Sequence, residues 1–204
     1  MRRLVQPRTH RQRGVVLIFT LIILLILTIG AVALMRSMNT SLTSAGNLAF
    51  RRDLANQGEQ AVSNVMTAFK AGGALSTSAV TDSNVPANNY SASMLATNAQ
   101  GVPNILLKQD SAFNSTGFTS SANDITTAAY PDVTIRYVID RMCTNVGATV
   151  ANQCVQSSAA PLGGTANGSQ SLTPPSATVY RLSVRVTGAR STQVFLQTTF
   201  TRQD

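Results

Sequence analysis

Residues 14–36 read GVVLIFTLIILLILTIGAVALMR, and the reading of that run decides how the rest of the chain is understood. Positions 15–35 are 21 residues without a charge, bounded by Arg13 and Arg36. As an α-helix rising ~1.5 Å per residue they span about 31 Å, matching a hydrocarbon core of ~30 Å. A core helix of a soluble domain rarely stays apolar on every face for so long, so the run reads as a membrane segment. Five of the 16 basic residues (Arg2, Arg3, Arg8, Arg11 and Arg13) precede it, and no acid occurs among those first 13 positions. By the positive-inside bias this predicts a cytoplasmic N-terminus, with everything after residue 36 on the far side of an inner membrane.

The same arginines account for most of the chain's charge. The formal net charge is +8 over 204 residues, but without the first five arginines 11 basic residues face 8 acidic ones, a balance of +3. No strong nucleic-acid signature remains, and no nucleic-acid partner is expected. The only histidine is His10 and the only glutamate is Glu59, while lysine occurs only at 70 and 108. Histidine-based acid–base chemistry is excluded beyond the basic segment, and no two carboxylates share a motif. The chain reads as a non-enzyme, with no catalytic residue, metal ligand or cofactor expected.

Three fates of the apolar run are open from the residues alone. It is a permanent signal anchor, or a secretory signal peptide cut after the small-x-small triplet Ala31-Val32-Ala33, or the start of a mature chain released by cleavage between Gly14 and Val15. Glycine suits the last scissile position because, lacking a Cβ, it admits close approach of a protease to the backbone.

A basic leader ending in glycine and followed at once by an uncharged helix resembles the type III signal of type IV pilins and type II secretion pseudopilins. The resemblance implies that a membrane prepilin peptidase cuts after Gly14 and methylates the new amino group of Val15. Most pilins carry glutamate at the fifth mature position, where it is thought to offset a neighbour's buried amino terminus; here that position is Phe19. This departure resembles the PilX kind of minor pilin and its counterpart, the large minor pseudopilin of type II secretion. The similarity continues through AGN at 45–47 and RRDLANQGEQAV at 51–62, although Glu59 sits one place early for the family's pattern. YVIDRMC at 137–143 and YRLSVRVTGARSTQVFLQTTF at 180–200 resemble segments of the same family.

Beyond Arg36 the helix is expected to continue to about Lys70, on a stripe of Ala55, Gly58, Val62, Val65 and Phe69, and to stop at Gly72-Gly73. Residues 71–130 are rich in Ser, Thr, Asn, Ala and Gly, and DSNVPANN at 82–89 reads as a solvated loop, since a calcium loop needs a closing glutamate. The low-complexity stretch at 157–177 reads as loop too. Alternation places a half-buried strand at 133–140 and a hairpin at 178–200, turning at Gly188-Ala189-Arg190-Ser191. Arg181 and Arg185 share that hairpin's polar face, read as solvated rather than as an anion site. Cys143 and Cys154 are the only cysteines; in an oxidising periplasm they read as a disulfide, the alternative being two free thiols.

The expectation is an α+β, type IV pilin-like fold: a leader at 1–14, a membrane part at 15–35, a helix continuation at 36–70, and a head at 71–204 with an antiparallel sheet. The expected role is structural, in a subunit held in inner-membrane lipid that assembles with sibling minor pilins and a major pilin and leads to a pilus tip. A pseudopilin of a secretion system and a secreted or anchored periplasmic binding module are the alternatives.

Overall fold

The computed structural model describes residues 14–114, 121–158 and 176–203. Residues 1–13 of the leader expected at 1–14, and the core of the low-complexity stretch, 159–175, lie outside the described residues. The chain divides into two compact units, Met1–Phe50 and Arg51–Asp204.

In the first unit every residue from 14 to 50 is exposed, and from Val15 onward all are helical, as the opening of α1 (Val15–Phe69). Polar side chains within the apolar run are satisfied locally: Thr20 and Thr28 donate Oγ1 protons to the carbonyls of Leu17 and Leu25 at 2.9 and 2.8 Å. Such bonds let hydroxyls sit on an apolar helix without leaving a polar group unpaired.

The second unit contains the rest of α1, whose inner face is Leu54, Gln57, Gly58, Ala61 and Val65. This stripe differs from the expected one. Leu54 and Ala61 are fully buried, whereas Ala55, Val62 and Phe69 are partly buried at its margins. Gly58 lies at the closest approach to the sheet, since a Cβ there would stand 2.2 Å from Leu196 Cδ1. The helix stops at Phe69, next to the expected Lys70. Gly72 takes φ +81°, and a Cβ on Gly73 would stand 2.3 Å from the Ala68 carbonyl oxygen, so glycine is required at both places.

The described strands are β1 (Tyr90–Ser91), β2 (Ile125–Thr127), β3 (Tyr130–Arg141), β4 (Gln156–Ser158), β5 (Ser176–Thr187) and β6 (Gln193–Gln203), joined in one sheet. The expected hairpin is β5–β6, in unbroken register from Ala177↔Gln203 to Thr187↔Gln193. β3 pairs antiparallel with β5 on its other side, from Thr134↔Thr187 to Arg141↔Tyr180. The sheet is mixed rather than wholly antiparallel, because β1 joins β3 in parallel at Tyr90↔Ile139 and Ser91↔Asp140. The α+β arrangement stands: the end of the long N-terminal helix packs on the C-terminal sheet, with Leu54, Ala61 and Val65 in one core with Ile135, Ile139, Tyr180, Leu182 and Val184. Phe69, Tyr180 and Phe200 close one end of that core, with Phe69 5.0 Å from each of the other two rings.

The sheet's other face is covered as well, which departs from the half-buried expectation. Leu95, Val102, Ile105, Leu106 and Phe113 form a second, smaller cluster with Val138. These residues come from the 3₁₀ turn Asn104–Leu107, the short helix α3 (Asp110–Asn114) and the loop before them. α2 (Ser78–Thr81) is one further short turn after the helix stop.

Candidate functional site

The expected site residues fall into two groups, one in each unit. In the first, Gly14 stands immediately before α1 with φ +122°, a conformation glycine adopts readily and other residues rarely do. Among the described residues nothing beyond its chain neighbours lies within 4 Å of where its Cβ would be, so it is the backbone conformation that favours glycine there. Val15 and Phe19 are 58% and 61% exposed on the opening turns. The first turn of α1 holds no acidic residue to offset the positive end of the helix dipole. With mean hydropathy of 3.2 over its most apolar window, α1 is the one described helix long and apolar enough to cross a membrane.

In the second unit Cys143 and Cys154 form a disulfide, as expected. The bridge closes a short loop that the sheet grips on several sides. Met142 N donates to Val179 O at 3.0 Å, Val155 N to Met142 O at 2.8 Å, and Val179 N to Val155 O at 3.1 Å. Arg141, 1% exposed, organises the surroundings from beneath: its guanidinium donates to Ala92 O, Asp82 Oδ1 and Gly147 O. Gly147 N returns a bond to Asp82 O at 2.8 Å. The disulfide loop is therefore tied to the 82–89 turn by a buried arginine.

That turn is open to solvent at Ser83, Asn84, Pro86 and Ala87, as expected of a loop, yet several of its polar side chains are tied to the fold. Asp82 pairs with Arg141, Asn84 Oδ1 accepts from Ala92 N at 2.9 Å, and Asn89, fully buried with φ 51°, donates Nδ2 to Tyr137 O at 3.0 Å. Asn84 and Asn89 thus serve backbone groups, and Asp82 serves the Arg141 guanidinium. Among the described residues no cluster of three or more His, Cys, Asp or Glu could hold a metal ion.

Arg181 and Arg185 require the largest correction, since both lie under the 92–114 cover and each is 9% exposed. Arg181 forms a two-pronged pair with Asp140, which is fully buried and also accepts from Leu95 N at 2.9 Å. Burial raises the Asp140 carboxyl's pKa, opposed by its bonds to Arg181 and to Leu95 N. Arg185 stands directly across from Arg136 and donates to the carbonyls of Leu106 and Lys108. Its pKa is lowered by burial first and by the Arg136 charge second. Arg136 holds Asp110 and Asp124 and lies 4.5 Å over the Phe113 ring. The arginines of the expected polar face thus fasten a cover onto the sheet.

Neither a family model, nor a curated protein, nor a solved structure matches the chain. The functional reading therefore rests on the residues and on the geometry of each unit.

Proposed function

We propose that the chain is a structural minor pilin that helps to initiate or cap assembly of a type IV pilus from the inner membrane, and that it has no enzymatic role. The observation that carries this reading is the change in character along α1. The same helix is uncharged and unburied from 15 to 35, yet buries one face on a sheet from Leu54 onward. In the membrane the apolar run is held by lipid; in a filament it packs against the equivalent helices of sibling minor pilins and the major pilin. A membrane prepilin peptidase cuts after Gly14 and methylates Val15, and the sheet unit lies in the periplasm until assembly carries it outward. Phe19 cannot neutralise a neighbour's amino terminus, and an unpaired charge among packed apolar helices is costly. Repeated stacking multiplies that cost, whereas a single copy at the tip avoids it, so the subunit is scarce and sits at the tip.

The deciding experiment is mass spectrometry of the mature N-terminus. Methylated Val15 supports the pilin reading, Leu34 indicates a secreted protein, and Met1 a permanent anchor. Gly14→Leu should leave the subunit uncleaved and unassembled; normal maturation of that variant would refute the leader assignment. Immunogold label spread along the whole shaft at the major pilin's density would refute the tip position.

A further inference from the structure

Among the described residues four arginines are buried, all in the sheet unit: Arg136, Arg141, Arg181 and Arg185. Three of them have a carboxylate of their own. Arg141 pairs with Asp82, Arg181 with Asp140, and Arg136 with both Asp124 and Asp110. Among the described residues Arg185 forms no ion pair, and its bonds run to the carbonyls of Leu106 and Lys108. A guanidinium stays charged in a protein, so burying one without a counter-charge is a cost that neutral carbonyls only partly offset.

The surroundings raise that cost. Arg185 stands directly across from Arg136 on the face beneath the 92–114 cover, and like charges opposed in this way repel. Asp124 and Asp110 are close enough to act on Arg185, but Arg136 holds them both. The Asp124 side chain is 12% exposed, whereas that of Asp110 is 78% exposed, where water screens its charge. Beneath the cover the two arginines therefore face one enclosed carboxylate, and one positive charge is in excess.

The same two arginines carry the unused donors. Arg136 Nη1 and Arg185 Nε are closed off from solvent, and no acceptor in the chain reaches either. A buried donor without a partner keeps its full desolvation cost, and more so when it is charged. Surplus charge and open N–H groups thus coincide on one cross-strand pair.

We infer that Arg136 and Arg185 bind one small monovalent anion, of chloride size, beneath the cover through Arg136 Nη1–H and Arg185 Nε–H. Such an anion supplies the acceptor and the missing charge together, whereas a water molecule supplies only an acceptor. A divalent oxyanion would reverse the excess charge instead of cancelling it. A carboxylate on another protein cannot reach nitrogens enclosed in this way while the cover is in place. Because Arg185 also holds Leu106 O and Lys108 O, the anion strengthens the attachment of this part of the cover to the sheet. The inference concerns the sheet unit alone and does not depend on the pilin reading.

The test uses the full chain in neutral detergent at constant ionic strength, with sodium gluconate exchanged stepwise for sodium chloride. Constant ionic strength removes general screening, and gluconate is too bulky for an enclosed site. The thermal midpoint of the head should rise with chloride and level off, by about 3–5 °C at tenfold the dissociation constant, and bromide should act alike. Arg185→Gln should abolish the chloride response, while Arg190→Gln, in the exposed hairpin turn, should keep it. If Arg185→Gln does not fold, hydrogen exchange of the parent decides. Chloride should then slow the amides of Leu106, Lys108 and Phe113, bonded within the cover, by about tenfold, and leave those of Thr144 and Val155 in the disulfide loop unchanged. Equal midpoints in chloride and gluconate would overturn the proposal, as would an undiminished response in Arg185→Gln or slowing spread evenly over the head.

Discussion

Two stretches of one helix, 15–50 and 51–69, share a backbone conformation and differ in everything that surrounds it. The later stretch has an inside: Leu54, Ala61 and Val65 are buried on the sheet, and Arg51, Arg52, Asn56, Glu59 and Ser63 are exposed. The earlier stretch has no inside, with Leu24, Leu25, Ile26 and Leu27 all about equally exposed, at 60–64%. A periodic apolar pattern therefore marks the partner a helix finds in its own domain, while apolarity on all sides marks one found elsewhere. Substitutions should obey that division.

The largest contrast is between two leucines. Leu54→Ala empties a fully buried site and should cost about 2–5 kcal/mol of head stability, read from urea unfolding of the detergent-solubilised chain. Leu34→Ala, at a residue 68% exposed, should change the same midpoint by no more than about 0.5 kcal/mol. Equal losses at the two sites would erase the division.

A smaller effect is expected where the helix touches the sheet most closely. At Gly58 an added methyl meets Leu196 Cδ1 at 2.2 Å and Val186 Cγ2 at 3.1 Å. Overpacking costs about 1–3 kcal/mol, and the helix gains up to about 1 kcal/mol from replacing glycine. Because Leu196 has some freedom to turn away, Gly58→Ala should lose about 1 kcal/mol net, whereas Gly46→Ala, with open space around it, should lose nothing. Thermal unfolding of the two variants side by side checks the difference.

How much of this was legible follows the same physics. The helix, its stop at the two glycines, the β5–β6 hairpin and the Cys143–Cys154 bridge are written in local pattern, and each could be read directly. The covered face of the sheet could not. On β3, Arg136 and Asp140 alternate with apolar residues and so look like a solvent face, yet both are buried, at 2% and 0% exposure. Their cover lies between residues 92 and 114, a stretch without periodicity, and is attached by pairs such as Arg136 with Asp110, 26 residues apart. One signal was available: Val138 sits between Arg136 and Asp140 on the same face, where a fully solvated strand has little use for it. Likewise Asp140 falls opposite Arg181 once the strands are aligned, which suggests an ion pair but not its burial. β1, two residues long, is too short for any pattern, so the parallel pairing had no local signature.

The smallest structural effect belongs to the substitution with the most to say about assembly. Phe19 is 61% exposed on a stretch that contributes nothing to the head's core, so Phe19→Glu should leave head unfolding within about 0.5 kcal/mol of the parent. Its consequences lie in the apolar surroundings of α1. A carboxylate inside a bilayer is costly towards the centre and much less so near an interface, and position 19 is the fifth residue of the apolar run, so membrane retention should persist. On the proposed reading the new carboxylate also gives a neighbouring amino terminus the partner that phenylalanine withholds. The variant should then enter filament shafts more often than the parent, measured as the ratio of this subunit to the major pilin in sheared filaments. An unchanged ratio, with the variant matured at Val15 and retained in the membrane, would show that Phe19 is not what keeps the subunit scarce.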